Sequence, residues 1–273
     1  MTKFRLPLLL SLALLALVLP AFGQKQLRGK MVTKTKTVPG SYNFWVYTPP
    51  EYEASGDTTA YPVVFFLHGS SLCGHNLNRV KRYGTLDALE RGLRLPAVVI
   101  APQNPGGAWK PDKLLKLLDW TLQNYRTDST RVYVLGMSLG GYGTMDFAGT
   151  YPDRIAAALA LCGGATIKHP ERLGELPFWI IHGTANRAVP ISASKRVVTA
   201  IQKSGHDDLL RFDWLSGVNH GRLARVFYMP RAYDWLFAHS LNDHPRVLDR
   251  QIKITKDNLT NAYRELRDLS SGK

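Results

Sequence analysis

The chain has 273 residues, 45% of them hydrophobic, which supports one sizeable core and little more. Formal net charge is +14, but the basic residues are scattered rather than interleaved with aromatics, so nucleic-acid binding is not expected. No cysteine and histidine spacing suits zinc, and neither a metal nor another cofactor is expected.

Taken in chain order, Met1-Thr2-Lys3-Phe4-Arg5 is a basic head, Leu8 to Leu19 an apolar run and Pro20-Ala21-Phe22-Gly23 a small-residue exit. This pattern predicts a secretory signal peptide over 1–23, cleaved near Gly23, and a secreted or periplasmic protein. The run is shorter than the ~20 residues a span needs, so no stable membrane span is expected after its removal. Cleavage takes away Lys3 and Arg5 and no acid, leaving +12. Such a field favours acidic polysaccharides, phospholipid surfaces or carboxylate-bearing substrates; a solvated cationic surface without a dedicated partner is the other reading.

Met31 to Thr37 and Tyr42 to Thr48, separated by Pro39-Gly40-Ser41, read as an antiparallel hairpin at a sheet edge. Short apolar runs follow: Val63 to Leu67, Ala97 to Ala101, Val132 to Leu135, Ala157 to Leu161, Phe178 to Ile181 and Leu209 to Leu215. They read as buried strands. Helical spacing marks Asp112 to Tyr125, Leu139 to Thr150, Ser192 to Lys203, a closing helix from Leu223 to His239, and a charged helix from Asp257 to Leu269. Glu53 to Ala60 reads as a polar loop. The alternation predicts an α/β fold: a mostly parallel central sheet covered by helices, with the N-terminal antiparallel hairpin at its edge. The catalytic domain is assigned to 24–240, and 241–273 to a C-terminal helical extension that packs on the surface or frays.

Function in such a sheet gathers at the carboxyl ends of the strands. Reactive residue types stand there: His68-Gly69-Ser70, Pro102-Gln103-Asn104, Met137-Ser138, Cys162-Gly163-Gly164, His182-Gly183 and Asn219-His220. Gly136-Met137-Ser138-Leu139-Gly140 sits between a strand and a helix, where a sharp turn exposes a serine only if small residues flank it. Ser138 is therefore the candidate nucleophile; the competing reading makes it a helix cap. The backbone N–H of Leu139 and that of Ser70 are the expected oxyanion donors. Of the histidines late in the chain, His206 precedes the last strand, while His239 and His244 follow the closing helix. His220, directly after that strand, is the candidate base, and His68 a loop-shaping residue. Gln103, Trp109 and Tyr142 are candidate substrate contacts at the same edge, and Trp109 and Tyr142 read equally as packing residues. Cys73 and Cys162 permit a disulfide or stand as two buried thiols.

The blocks Phe66-Leu67-His68-Gly69-Ser70, Ala101-Pro102-Gln103, Gly136 to Thr144, Ile181-His182-Gly183 through Val189-Pro190, and Gly217-Val218-Asn219-His220 carry a resemblance. They look like those of secreted α/β-hydrolases of the prolyl-oligopeptidase and dienelactone-hydrolase-like esterase family, over roughly Val63 to His239. The resemblance implies hydrolysis of carboxylic esters, with acetylated or feruloylated polysaccharides as targets and serine peptidase activity as the alternative. It also implies an aspartate three residues beyond the glycine of His182-Gly183. That place holds Asn186. Either the asparagine serves as the third member, or Asp213 or Asp208 substitutes, or the chain is a weakened or inactive variant that binds rather than turns over.

Overall fold

A computed structural model describes residues 29–53, 56 and 58–271, so the expected leader lies outside the described residues. β1 (Lys30–Lys34) and β2 (Asn43–Thr48) pair antiparallel, with Thr33 opposite Trp45. β2 pairs antiparallel in turn with β4 (Val98–Gln103). From there β4, β3 (Tyr61–Leu67), β5 (Thr127–Met137), β6 (Ala157–Leu161), β7 (Phe178–Gly183) and β8 (Leu210–Leu215) are all parallel neighbours. The order among the described residues is β1-β2-β4-β3-β5-β6-β7-β8. This is the mixed, mostly parallel sheet that the run of apolar segments predicts.

Because successive strand side chains face opposite ways, each central strand feeds two cores. Val63, Phe65 and Leu67 join Ile100, Val134, Ala160 and Ile180 on one face. Val64 and Phe66 join Val99, Leu135, Leu161 and Ile181 on the other. Both faces are buried, which is why these strands read as continuous apolar runs rather than alternating ones. The first face is covered by α2 (Pro111–Asn124), α3 (Leu139–Thr150) and α4 (Ile191–Ser204). The second is covered by α1 (Thr85–Glu90), α6 (Pro230–Phe237) and α7 (Lys256–Ser271).

Two features depart from the sequence expectation, and one open expectation is decided. The closing helix is broken: α5 (His220–Leu223) runs into a 3₁₀ segment, Ala224–Tyr228, and α6 restarts at Pro230. Proline has no N–H for a preceding carbonyl but suits a first helical position, so it forces the restart. The C-terminal tail takes the packed outcome of the two expected and does not fray. Leu259, Ala262 and Leu266 of α7 are buried with Phe227 and Trp235, and each buried leucine contributes about 1.5–3 kcal/mol. Finally, α1 is an extra helix; Leu86 and Leu89 carry it into the same core.

Candidate active site

Ser138 stands between β5 and α3 with φ +60° and ψ −122°, a conformation that costs a non-glycine residue energy and holds the side chain out of the turn. Its N–H is held by the carbonyls of Leu161 (2.9 Å) and Cys162 (3.1 Å) at the end of β6. Although Ser138 occupies the cap position of α3, its side chain makes no capping hydrogen bond, which removes the helix-cap reading. The flanking glycines have a steric cause. A Cβ on Gly140 would run into the Leu67 carbonyl, and one on Gly141 would lie 2.7 Å from the Leu161 oxygen.

His220 opens α5, and Asn219 fixes that opening by accepting the Arg222 N–H through Oδ1 (3.0 Å). The loop after β7 is laced to it: Ala185 N–H donates to Val218 O (3.1 Å) and Gly217 N–H to Thr184 Oγ1 (3.0 Å). This lacing sets Asn186 Oδ1 3.1 Å from His220 Nδ1. The same oxygen accepts the N–H groups of Ala188 and Val189, both at 3.1 Å, so the amide cannot be turned over without facing NH₂ against two donors. His220 Nδ1 therefore carries its proton, which leaves Nε2 with a free lone pair. Burial holds the His220 imidazole below its ordinary pKa, and no carboxylate opposes that shift.

Ser138 and His220 come to one rim through a shared neighbour. Cys162, whose carbonyl holds the Ser138 N–H, places its Sγ 3.6 Å from His220 Nδ1. The thiol is buried, burial pushes its pKa up to about 12, and its backbone takes φ +42°.

The loop after β3 closes over Ser138. A Cβ on Gly69 would lie 3.5 Å from Ser138 Cβ, and Gly69 N–H donates to the Tyr83 hydroxyl (3.1 Å). Ser70 begins a 3₁₀ turn, Ser70–Leu72, and Leu139 begins α3, so neither N–H has an acceptor within its own helix. His68 is fully buried, its Nδ1–H donating to Gly69 O (2.8 Å) and its Nε2 accepting Asn104 N–H (3.0 Å). Burial drives its pKa down to about 4, so it is a neutral, loop-shaping residue.

The three expected substrate contacts separate. Trp109 is 2% exposed, lies under Gly143, packs edge-on to His68 and donates Nε1–H to His68 O (3.3 Å): it is a packing residue. Gln103 is also buried, its Nε2 donating to Leu72 O (2.6 Å), so it braces the Ser70 turn instead of facing a substrate. Tyr142, one turn beyond Ser138, lines a cavity of about 230 Å³ with Gly164, Ala193, Arg196 and Val197.

The substitute acids fail on geometry. Asp213 is taken by Trp179 Nε1 (2.7 Å) and Arg211 Nε (3.2 Å), and Asp208 is exposed before β8. His239 is buried with Nδ1 donating to Trp235 O (2.8 Å). Cys73 and Cys162 are both free thiols. Sequence reasoning did not reach Tyr83, nor Cys162 as a neighbour of His220; the position of Cys162 just after β6 was the only signal.

The sheet order and the serine turn define the class: the chain has the α/β-hydrolase fold, and esterases of that fold are its relatives. It is 26% identical over 199 residues to feruloyl esterase B of Thermothelomyces thermophilus, covering 64% of this chain and 58% of that protein. Over 57 residues it is 39% identical to acetylxylan esterase A of Emericella nidulans, covering 21% of this chain and 19% of that one. The chain thus spans less than two thirds of the length of these relatives. Among solved structures, a thermostable esterase superposes with a TM-score of 0.62 at 24% identity, over 78% of this chain and 63% of the other. No protein-family model matches the chain. Among the described residues no helix is long and apolar enough to cross a membrane, and no group of His, Cys, Asp and Glu could hold a metal ion.

Proposed function

We propose that this chain is a secreted serine hydrolase that cleaves carboxylic esters, with acetylated or feruloylated polysaccharide as its natural substrate. The reading is supported by a strained, uncapped Ser138 and a His220 whose Nδ1 proton is committed to Asn186, both neighbours of Cys162, whose carbonyl accepts the Ser138 N–H and whose Sγ lies 3.6 Å from His220 Nδ1. His220 Nε2 takes the Ser138 proton as Oγ attacks the ester carbonyl. The N–H groups of Leu139 and Ser70 receive the oxyanion. The alcohol leaves with the proton from His220, and water enters by the same route to release the acid.

An ester is favoured over a peptide on physical grounds. With an amide at the third position, nothing charged stabilises the imidazolium that must protonate the leaving group. An alkoxide or phenoxide leaves with little such help; an amine does not. The feruloyl and acetylxylan esterases among the relatives support the ester class, and the basic head and apolar run of residues 1–23 support secretion. The test is hydrolysis of nitrophenyl acetate and methyl ferulate together with fluorophosphonate labelling. Turnover and labelling that vanish in Ser138→Ala support the enzyme. A native chain inert to the fluorophosphonate yet able to bind the sugar overturns it in favour of a binding protein.

A further inference from the structure

The stretches directly after the strands at the catalytic edge are basic, and the nearest acids in the β5–β6 and β6–β7 connections are engaged: Asp146 accepts from Thr166 N–H and Oγ1–H, and Glu171 lies 3.0 Å from His169 Nδ1. The segments 68–84, 104–110, 138–145, 162–170, 184–206 and 216–233 contain no aspartate or glutamate, although the chain has 21 acidic residues. Those segments hold Arg82, Lys168, Arg187, Lys195, Arg196 and Arg222, none of which has an ion pair or hydrogen-bond partner for its charged group among the described residues. Arg187 directly follows Asn186, Arg222 shares α5 with His220, and Arg196 lines the cavity next to Tyr142. The remaining wall of that cavity, Gly164, Ala165, Pro170, Ala193 and Val197, is small or apolar. A lone guanidinium beside an apolar wall is a receptor for a carboxylate attached to a hydrophobic body, because the planar fork matches two carboxylate oxygens.

We infer that the esters this site selects carry a carboxylate, bound by Arg196 in the cavity beside Tyr142, with Arg187 and Arg222 drawing the anion to the edge. The inference rests on the ester-hydrolase reading and names its substrate class. A cleft lined by cations raises the local concentration of an anionic substrate and its on-rate by 10- to 10³-fold, an advantage that salt screens away. It also accounts for a basic surface that the ester chemistry by itself does not require.

Two matched pairs of probes test it, each rate corrected for uncatalysed hydrolysis. For a carboxylate on the acyl side the pair is 4-nitrophenyl hemisuccinate and 4-nitrophenyl butyrate. For one on the alcohol side it is 4-acetoxybenzoate and its methyl ester. In at least one pair the anion is expected to lead in kcat/KM by about tenfold at low salt. That lead is expected to shrink in 0.5 M NaCl and in Arg196→Ala, and to reverse in Arg196→Glu. Lys203→Ala, which removes the same charge from the far end of α4, is expected to keep the ratio. Anions favoured in neither pair, or a ratio indifferent to Arg196, overturn the inference while leaving the hydrolase standing. If no ester is turned over, binding of 4-acetoxybenzoate against its methyl ester to Ser138→Ala still decides: equal affinities reject the carboxylate site, and a preference lost in Arg196→Ala upholds it.

Discussion

Asn186 Oδ1 stands 3.1 Å from His220 Nδ1 while its Nδ2, buried in the same loop, has no hydrogen-bond partner among the described residues. In the proposed triad the oxygen stands where one carboxylate oxygen would, and the nitrogen takes the place of the other without its charge. Asn186→Asp replaces the unpartnered donor with an acceptor beside the Cys162 thiol and gives the imidazolium a counter-charge. The exchange in the opposite direction costs a serine protease about 10⁴-fold in kcat. Asn186→Asp is therefore expected to raise kcat on nitrophenyl acetate by about tenfold or more. An unchanged kcat removes residue 186 from the triad.

The pH profile moves with it. The proposed mechanism needs His220 neutral, and burial holds its pKa below the ordinary 6.5, so kcat/KM of the native chain is expected to stay flat through neutrality and fall only at a pH below 6.5. A carboxylate at 186 favours the protonated ring and lifts that pKa, so the acid limb of Asn186→Asp is expected at higher pH. Profiles on one neutral ester, recorded for both proteins, check the direction.

Tyr83 holds the loop proposed to supply an oxyanion donor. Its hydroxyl accepts the Gly69 N–H at 3.1 Å, next to the expected donor Ser70. Tyr83→Phe removes that acceptor and leaves a buried N–H unpaired, worth about 1–1.5 kcal/mol, or roughly tenfold in rate if it is felt in the transition state. The loss is expected in kcat, with KM little changed, because the donor acts on the oxyanion rather than on the bound ester.

Most of the sheet was legible because its strands are buried on both faces and therefore appear as unbroken apolar runs: Ala157–Leu161 has the bounds read from the sequence. The serine turn was legible because its glycines answer steric demands set by local geometry, such as the Leu67 carbonyl over Gly140. Depth was not. Trp109 follows two glycines in a polar loop and reads as equally suited to a pocket or a core; only the arrival of His68 and Gly143 above it decides for the core. Tyr83 belongs to no periodic element, and its role arises from a contact with Gly69, 14 residues away, that no spacing encodes. The six-residue α1 is too short for a helical stripe to show.

The thiols give a prediction in solution. Both cysteines are free; Cys162 is fully buried with its pKa pushed up to about 12, while Cys73 is only partly buried. Thiolate fraction and access both govern alkylation. Iodoacetamide at pH 8 is expected to label Cys73 in the native protein and both cysteines after unfolding without reductant. A protein that yields no thiol after unfolding contains the disulfide instead.

Two glycines near the active site separate steric demand from helix propensity. A Cβ on Gly140 would strike the backbone carbonyl of Leu67 and lie 2.9 Å from that of His68. Leu67 ends β3 in register with Gly136 of β5, so its carbonyl cannot retreat without disturbing that pairing. Gly140→Ala is expected to cost about 1–3 kcal/mol or more and to take activity with it, since the same movement displaces Ser138. Gly221, beside His220 in α5, has no neighbour within 4 Å of the place a Cβ would take and no positive φ, so alanine there meets no obstacle. Reduced freedom of the unfolded chain then stabilises Gly221→Ala by about 0.4–1 kcal/mol. Urea midpoints at unchanged slope read both values, and opposite signs are the expected outcome. Destabilisation of similar size at both positions would mean that α5 is not helical in solution, and His220 would lose the frame that aims it at Asn186.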